Sequence, residues 1–360
     1  MRYYLHRIDL KWMVLVLWMS LSFHLHGQQR MQYSQYLTNG FLINPALAGT
    51  EKYLDLKVGY QHLWAGFEGA PRGLFVTAHK DLLGTPANAN EKEPSSLPAP
   101  GRGRYLPTFK KAGPDKAEQR RISMGIGGML YSEQTGPISY NGLGLSYSVN
   151  LLLKRDWHLA LGANLDMMNY RVDPDQVTLT DPNDLAVLGS RNSLFLPGIS
   201  MGFAFYNDDF FVAGSSRQLL RNRITIGPEN PFVSTLAIHY HLQAGYRFKV
   251  GDDLRLTPTA ALRHVQPAPL SWEIGARAEY IDLFTFGLSV RWADALTGNA
   301  LVGLIGFKLN QNIKLNYSYD LAVNGLGGYN SGTHGITLGF KMLPSKAQAG
   351  RKPFERRYFW

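Results

Sequence analysis

Apolar and polar positions alternate through residues 236–248. Leu236, Ile238, Tyr240, Leu242, Ala244, Tyr246 and Phe248 share one parity, and Ala237, His239, His241, Gln243, Gly245 and Arg247 the other. A period of two predicts a β-strand with one apolar and one largely polar face. After the turn Gly251-Asp252-Asp253 the alternation resumes, with Leu254, Leu256, Ala260 and Leu262 against Arg255, Thr257, Thr259 and Arg263, so the two runs predict a hairpin. The same pattern recurs along the chain and predicts 14 strands, beginning at Leu54 and ending at Met342, with no sustained helical period. Alternate connections are very short: 154–156, 207–209, 251–253, the turn at Asp282, and 310–312. Those between them are mostly longer: 170–193, 219–231 and 321–333. Short turns on one side and long loops on the other predict an all-β transmembrane outer-membrane barrel of about 14 antiparallel strands, with short periplasmic turns and longer external loops. Leu242, Leu288 and Leu338 then face lipid, and Gln243, Ser289 and Thr337 face the lumen. Pro258, which removes a ladder donor inside a strand, is read as a bulge.

Composition fits this architecture. The 360 residues include 37 Gly and 19 Tyr, no Cys, and a mean hydropathy of -0.18. Barrels combine modest hydropathy with membrane insertion because only alternate residues meet lipid. The net charge of +10 is spread over strand faces, an insertion and a tail, so no basic stripe forms and nucleic acid is not an expected partner. Arg2, Arg7 and Lys11 precede the apolar run Trp12–Leu25, and Gly27 supplies a small residue at the cleavage edge. This predicts a signal peptide over 1–27 and an exported chain. Residues 28–50 form an N-terminal periplasmic or plug segment and 51–343 the barrel. Inside the barrel span lies a Pro/Lys-rich insertion, 83–120, of a composition that does not fold alone. Strand parity places it on the short-turn side. A basic tail, 344–360, ends the chain.

Candidate chemistry is sparse. His239 and His241 share one strand face but lack a third metal ligand. Gly125-Ile126-Gly127-Gly128 lacks the Lys-Ser/Thr of a phosphate loop. The acidic run 173–184 lacks EF-hand spacing. No nucleophile elbow or placed carboxylate pair appears, so neither catalysis, cofactor nor metal is expected. Trp64, Trp157, Tyr170, Trp272 and Trp292 lie near strand ends, as in the aromatic girdles of membrane proteins.

Several short motifs occur in a fixed order. They are Gln35-Tyr36, Asn44-Pro45-Ala46 with Gly49, Trp64-x-Gly66-Phe67-x-Gly69-Ala70-Pro71-Arg72, Thr135-Gly136-Pro137, Arg291-x-x-Asp294, Tyr317-Ser318-Tyr319-Asp320 and Gly332-Thr333-His334. This set, from about Tyr33 to Leu343, resembles the PorP/SprF membrane proteins of type IX secretion. The resemblance implies an outer-membrane component of the secretion and gliding machinery of Bacteroidetes, without enzymatic activity. Its implied partners are outer-membrane lipid, periplasmic ring and peptidoglycan-binding components, and the C-terminal domain of a secreted surface adhesin. It also marks Asn44, Pro45, Gly49, Trp64, Gly66, Phe67, Gly69, Pro71, Arg72, Arg291, Asp294, Tyr319, Asp320 and His334 as docking or plug residues. A barrel of this size equally suits a transport channel for a small or hydrophobic solute, of the fatty-acid-channel kind, and that is the alternative function.

Overall fold

The computed structural model describes residues 31–82, 121–173, 193–226, 232–293 and 299–342, apart from positions 52, 155, 174, 175, 267, 324 and 326, and also Gln176. The predicted signal segment, the insertion 83–120, most of the acidic run, Asp294 and the basic tail lie outside the described residues. Strands β1 (Leu54–His62), β2 (Arg72–Asp81), β3 (Ile122–Thr135), β4 (Ile138–Lys154), β5 (Trp157–Val172), β6 (Ser193–Tyr206) and β7 (Phe210–Arg217) follow one another around the wall. A separate ribbon, β8 (Arg223–Ile226) with β9 (Phe232–Thr235), interrupts them. The wall continues through β10 (His239–Tyr246), β11 (Phe248–Val250), β12 (Leu254–Val265), β13 (Ser271–Tyr280), β14 (Phe284–Ala293), β15 (Ala300–Lys308), β16 (Ile313–Ala322) and β17 (Thr333–Met342). β1 pairs with β17, setting Val58 opposite Leu338, and so the sheet closes. Since β10 and β11 occupy one lane against β12, the barrel has 14 antiparallel strands, as the alternation predicts.

The two faces sort by parity. Leu242, Leu288, Leu145 and Phe195 project outward and are exposed, whereas Gln243, Ser289 and Thr337 point inward and are buried. In water an apolar exterior of this extent would drive aggregation; in a bilayer it is the required surface. At Pro258 the expected bulge is absent. Gly245 lies opposite Thr259 and Phe248 opposite Leu256, so the register is unbroken and no residue is inserted. The missing proline N–H instead coincides with the break between β10 and β11. The register does shift between Leu152 and Lys154, next to the short turn that follows β4.

The interior holds the N-terminal segment. Residues 31–53 run through it as three short 3-10 turns, Ser34–Leu37, Gly40–Leu42 and Pro45–Leu47. Their direction is set by the wall residues they meet. Gln32 and Tyr33 bond to Gln61 and Glu133 at the long-loop end, while Gly49 reaches His79 at the short-turn end. Ile224 and Leu236, at the ends of the β8–β9 ribbon, pack with Tyr140, Met168, Tyr170 and Leu196 in the same apolar cluster as Tyr33. Tyr170 therefore points inward and does not belong to an aromatic girdle. Trp272 and Trp292 do face outward, stacked with ring centroids 6.3 Å apart.

Candidate functional site

A segment that mixes polar and apolar residues fills a barrel only where its polar groups find partners. A buried donor or acceptor left unpaired costs about 1–3 kcal/mol. The 31–53 segment meets this requirement at most of its positions, although Gln35 Nε2 and Asn39 Oδ1 are buried without a partner among the described residues. The Asn44 side chain accepts from the Ala46 N–H at 3.0 Å, capping the third turn, and its amide donates to the Phe203 carbonyl at 3.0 Å and the Gly214 carbonyl at 3.2 Å. Pro45 follows at the first position of that turn, where a missing N–H is harmless. Ser215 donates to the Ile43 carbonyl at 2.7 Å, Ser148 to that of Ala48 at 2.5 Å, and Asn39 to Thr77 at 3.0 Å.

The wall makes room for these contacts with glycines. A Cβ at Gly162 would run into the backbone of Ala46, one at Gly202 into the Asn44 side chain, and one at Gly125 into the Ala48 carbonyl. Gly49 itself has φ +66 and lies against the backbone of Gly125 and Lys80, so both its conformation and its packing favour glycine.

Nearer the long-loop end, charges hold the segment. Arg291 donates from Nε to Glu273 at 2.9 Å, from Nη1 to Asp320 at 3.0 Å and from Nη2 to the Ser34 hydroxyl at 2.8 Å. Glu273 also accepts from Arg263 at 3.1 Å, Ser289 at 2.8 Å and the Tyr36 hydroxyl at 3.0 Å. Ser34 donates in turn to Asp320, Thr337 to Gln35, and Arg277 to the Leu37 carbonyl. The guanidinium of Arg263 lies 4.5 Å from the centroid of the Tyr36 ring. All five charged members are 3–7% exposed, so the network lies in a medium where each unpaired charge is expensive. At the short-turn end, burial together with the nearby Asp55 pushes the Glu51 carboxyl up to about 7.

The predicted site residues divide among three places. Asn44, Pro45 and Gly49 belong to the luminal segment, and Arg291 and Asp320 to the ion network that grips it. Trp64, Gly66, Phe67, Gly69, Pro71 and Arg72 form the β1–β2 loop at the long-loop end. There the Ala65 N–H donates to the Gly332 carbonyl and the Ser331 N–H to the Ala65 carbonyl, tying this loop to the β16–β17 loop, and the Gly136 N–H donates to the Gly69 carbonyl at 2.9 Å. Arg72 donates to Gln134 from two nitrogens. Tyr319 and His334 meet at the same end, with rings 5.1 Å apart, and Tyr319 donates to the Ser331 carbonyl at 3.2 Å. His239 and His241 face the N-terminal segment across a small cavity shared with Arg263. No group of metal-ligating side chains occurs among the described residues. Ser34, Arg263, Glu273 and Arg277 are the functional residues that motif reading leaves out. For Arg263, Glu273 and Arg277 the signal is charge on the inward parity of apolar strands; Ser34, on the luminal segment, carries none.

A closed antiparallel barrel with an apolar exterior, one short-turn end and one long-loop end is an outer-membrane β-barrel, and the protein resides in the outer membrane. Solved structures similar to it include a FadL homologue of Pseudomonas aeruginosa (10% identity, covering 83% of this chain and 91% of that one, TM-score 0.42). The CymD monoaromatic hydrocarbon channel is similar at 10% identity (89% and 95% covered, TM-score 0.45), and Omp33 of Acinetobacter baumannii at 8% (81% and 100% covered, TM-score 0.44). These likenesses concern fold alone. The family described as type IX secretion system membrane protein PorP/SprF matches residues 25–340, and the chain belongs to that family. No curated protein matches the sequence. Family and fold are those of a secretion or transport barrel and not of an enzyme class.

Proposed function

We propose that this barrel is a docking component of type IX secretion. It holds periplasmic ring and peptidoglycan-binding components at its short-turn end and the C-terminal domain of a secreted surface adhesin at its long-loop end. The observation that carries the reading is the filled lumen. A channel needs a path, whereas here residues 31–53 occupy the interior with paired polar groups and backbone-to-glycine packing. A rigid wall that fixes different loops at its two ends is the form suited to presenting surfaces. The family supplies the secretion context. Residues 1–27 act in this reading as a removable export signal, and N-terminal sequencing of the membrane-extracted protein should begin near Gln28. The insertion 83–120 joins the end of β2 to the start of β3, both at the short-turn end, and its Lys and Arg content suits an acidic partner surface, acting more on encounter rate than on affinity. Deleting 87–116 should leave the barrel inserted but weaken recovery of periplasmic partners, more so at high salt.

Two measurements test the whole. The protein isolated from native membranes should bring down secretion components, and the purified protein in liposomes should pass small solutes poorly. Brisk solute flux with no co-purifying partner would establish the transport channel instead.

A further inference from the structure

We infer that the short-turn end of the barrel carries a socket for a carboxylate group. The inference rests on the reading of that end as the periplasmic docking face and names the chemistry that it recognises there. A cavity of about 130 Å³ lies beneath the N-terminal segment, between Glu51 and Tyr53 on one side and the exposed turn Asn310–Asn312 on the other. The wall of this cavity is an unusual cross-strand row. Lys308 on β15 is directly opposite Lys314 on β16, which is opposite Gly339 on β17, which is opposite Lys57 on β1. Their shared inward parity sends the three ammonium groups into one space, and Gly339 leaves the gap between them.

Like charges set directly opposite on neighbouring strands repel. Lys57 is relieved by Asp55, whose carboxylate lies 2.7 Å from its ammonium. Arg277 lies 3.6 Å from Glu279, and Asp282 is engaged at 2.6 Å by Arg255. Among the described residues, Lys308 and Lys314 have no carboxylate within ion-pair distance. Glu279 attracts Lys314 only from beyond ion-pair distance, so the like-charge contact is partly relieved inside a cavity that opens beside exposed turn residues, and an anion bridging both ammonium groups removes the remaining repulsion. The same walls restrict which anion enters. Glu51 and Glu279 border the cavity and disfavour a second negative charge, so a monoanionic carboxylate fits better than phosphate. The source is an acidic side chain of a periplasmic partner, inserted from the short-turn side.

The test reads the two lysines themselves in the full-length protein in detergent. Their acetylation by an impermeant amine reagent is followed by mass spectrometry while butyrate, inorganic phosphate or a short end-blocked peptide with a single Asp is titrated at low ionic strength. Butyrate and the peptide should protect Lys308 and Lys314 together and saturably, and phosphate more weakly. K314M should weaken the protection of Lys308 by about tenfold, the usual effect of one charged hydrogen bond. Because K314M also relieves the like-charge pair, the empty variant should melt no lower than wild type, which separates lost binding from lost folding. Lysines acetylated at the same rate with and without either carboxylate would overturn the socket. Protection by butyrate without protection by the peptide would overturn the partner as its source. These readouts use the purified barrel, so they are independent of whether secretion components co-purify.

Discussion

Replacing Arg291 by methionine should release the N-terminal segment from the wall. Methionine keeps a long unbranched stem but removes the charge and all five donors. Three hydrogen bonds are lost, to Glu273, Asp320 and Ser34. The consequences for the two carboxylates differ. Glu273 retains Arg263, Ser289 and Tyr36, whereas Asp320 retains only the Ser34 hydroxyl and becomes a buried charge without a counter-charge. Removing one partner of a buried ion pair costs about 3–5 kcal/mol. The cost falls on the packed state of the lumen, since a displaced segment lets water reach Asp320. R291M should therefore lower the melting temperature of the detergent-solubilised barrel and raise its single-channel conductance in planar bilayers. D320N in the R291M background removes the stranded charge and should recover part of both effects. If R291M melts as wild type does and stays non-conducting, the network does not hold the segment and the reasoning fails.

Other outcomes follow from the same geometry. Leu288→Arg places a charge on the lipid face and should cost about 2–4 kcal/mol near the bilayer midplane, seen as poor membrane insertion. Thr337→Arg points instead into the space held by Gln35, so it should leave insertion intact and raise conductance; a milder effect, expected for a solvated lumen, is ruled out by that packing. Gly162→Val sets side-chain atoms against the backbone of Ala46 and should expose residues 31–50 to added protease, while Gly303→Val, whose Cβ would meet only the Tyr319 carbonyl at an ordinary 3.9 Å, should not. The Glu51 carboxyl is raised to about 7, so its folded form holds the proton more tightly than its unfolded form. It therefore costs nothing below the ordinary carboxylate range, and destabilises progressively as pH rises through that range to about 7 and fully above it. Glu51→Gln should accordingly leave the melting temperature unchanged near pH 4 and raise it at pH 8, by up to about 3 kcal/mol of stability.

The wall was legible in the sequence because its period is local. Each strand declares itself through alternation within about ten residues, and the parity of Leu288 against Ser289 fixes which face meets lipid. The lengths of the turns then order the strands and assign the two ends. Residues 31–53 carry no period, so nothing local tells whether they lie in periplasm or lumen; their place is decided by partners such as Asp320 and Thr337, nearly 300 residues away. Likewise Arg263, Glu273, Arg291 and Asp320 were visible as inward polar residues, but pattern alone does not say that they meet. Barrel closure brings them to one height and Tyr36 and Ser34 between them, and burial then makes their pairing obligatory. The Lys308–Lys314 contact arises in the same way, from the register of one short hairpin. Alternation determined the barrel, and the polar groups that had to be satisfied within it determined what fills it.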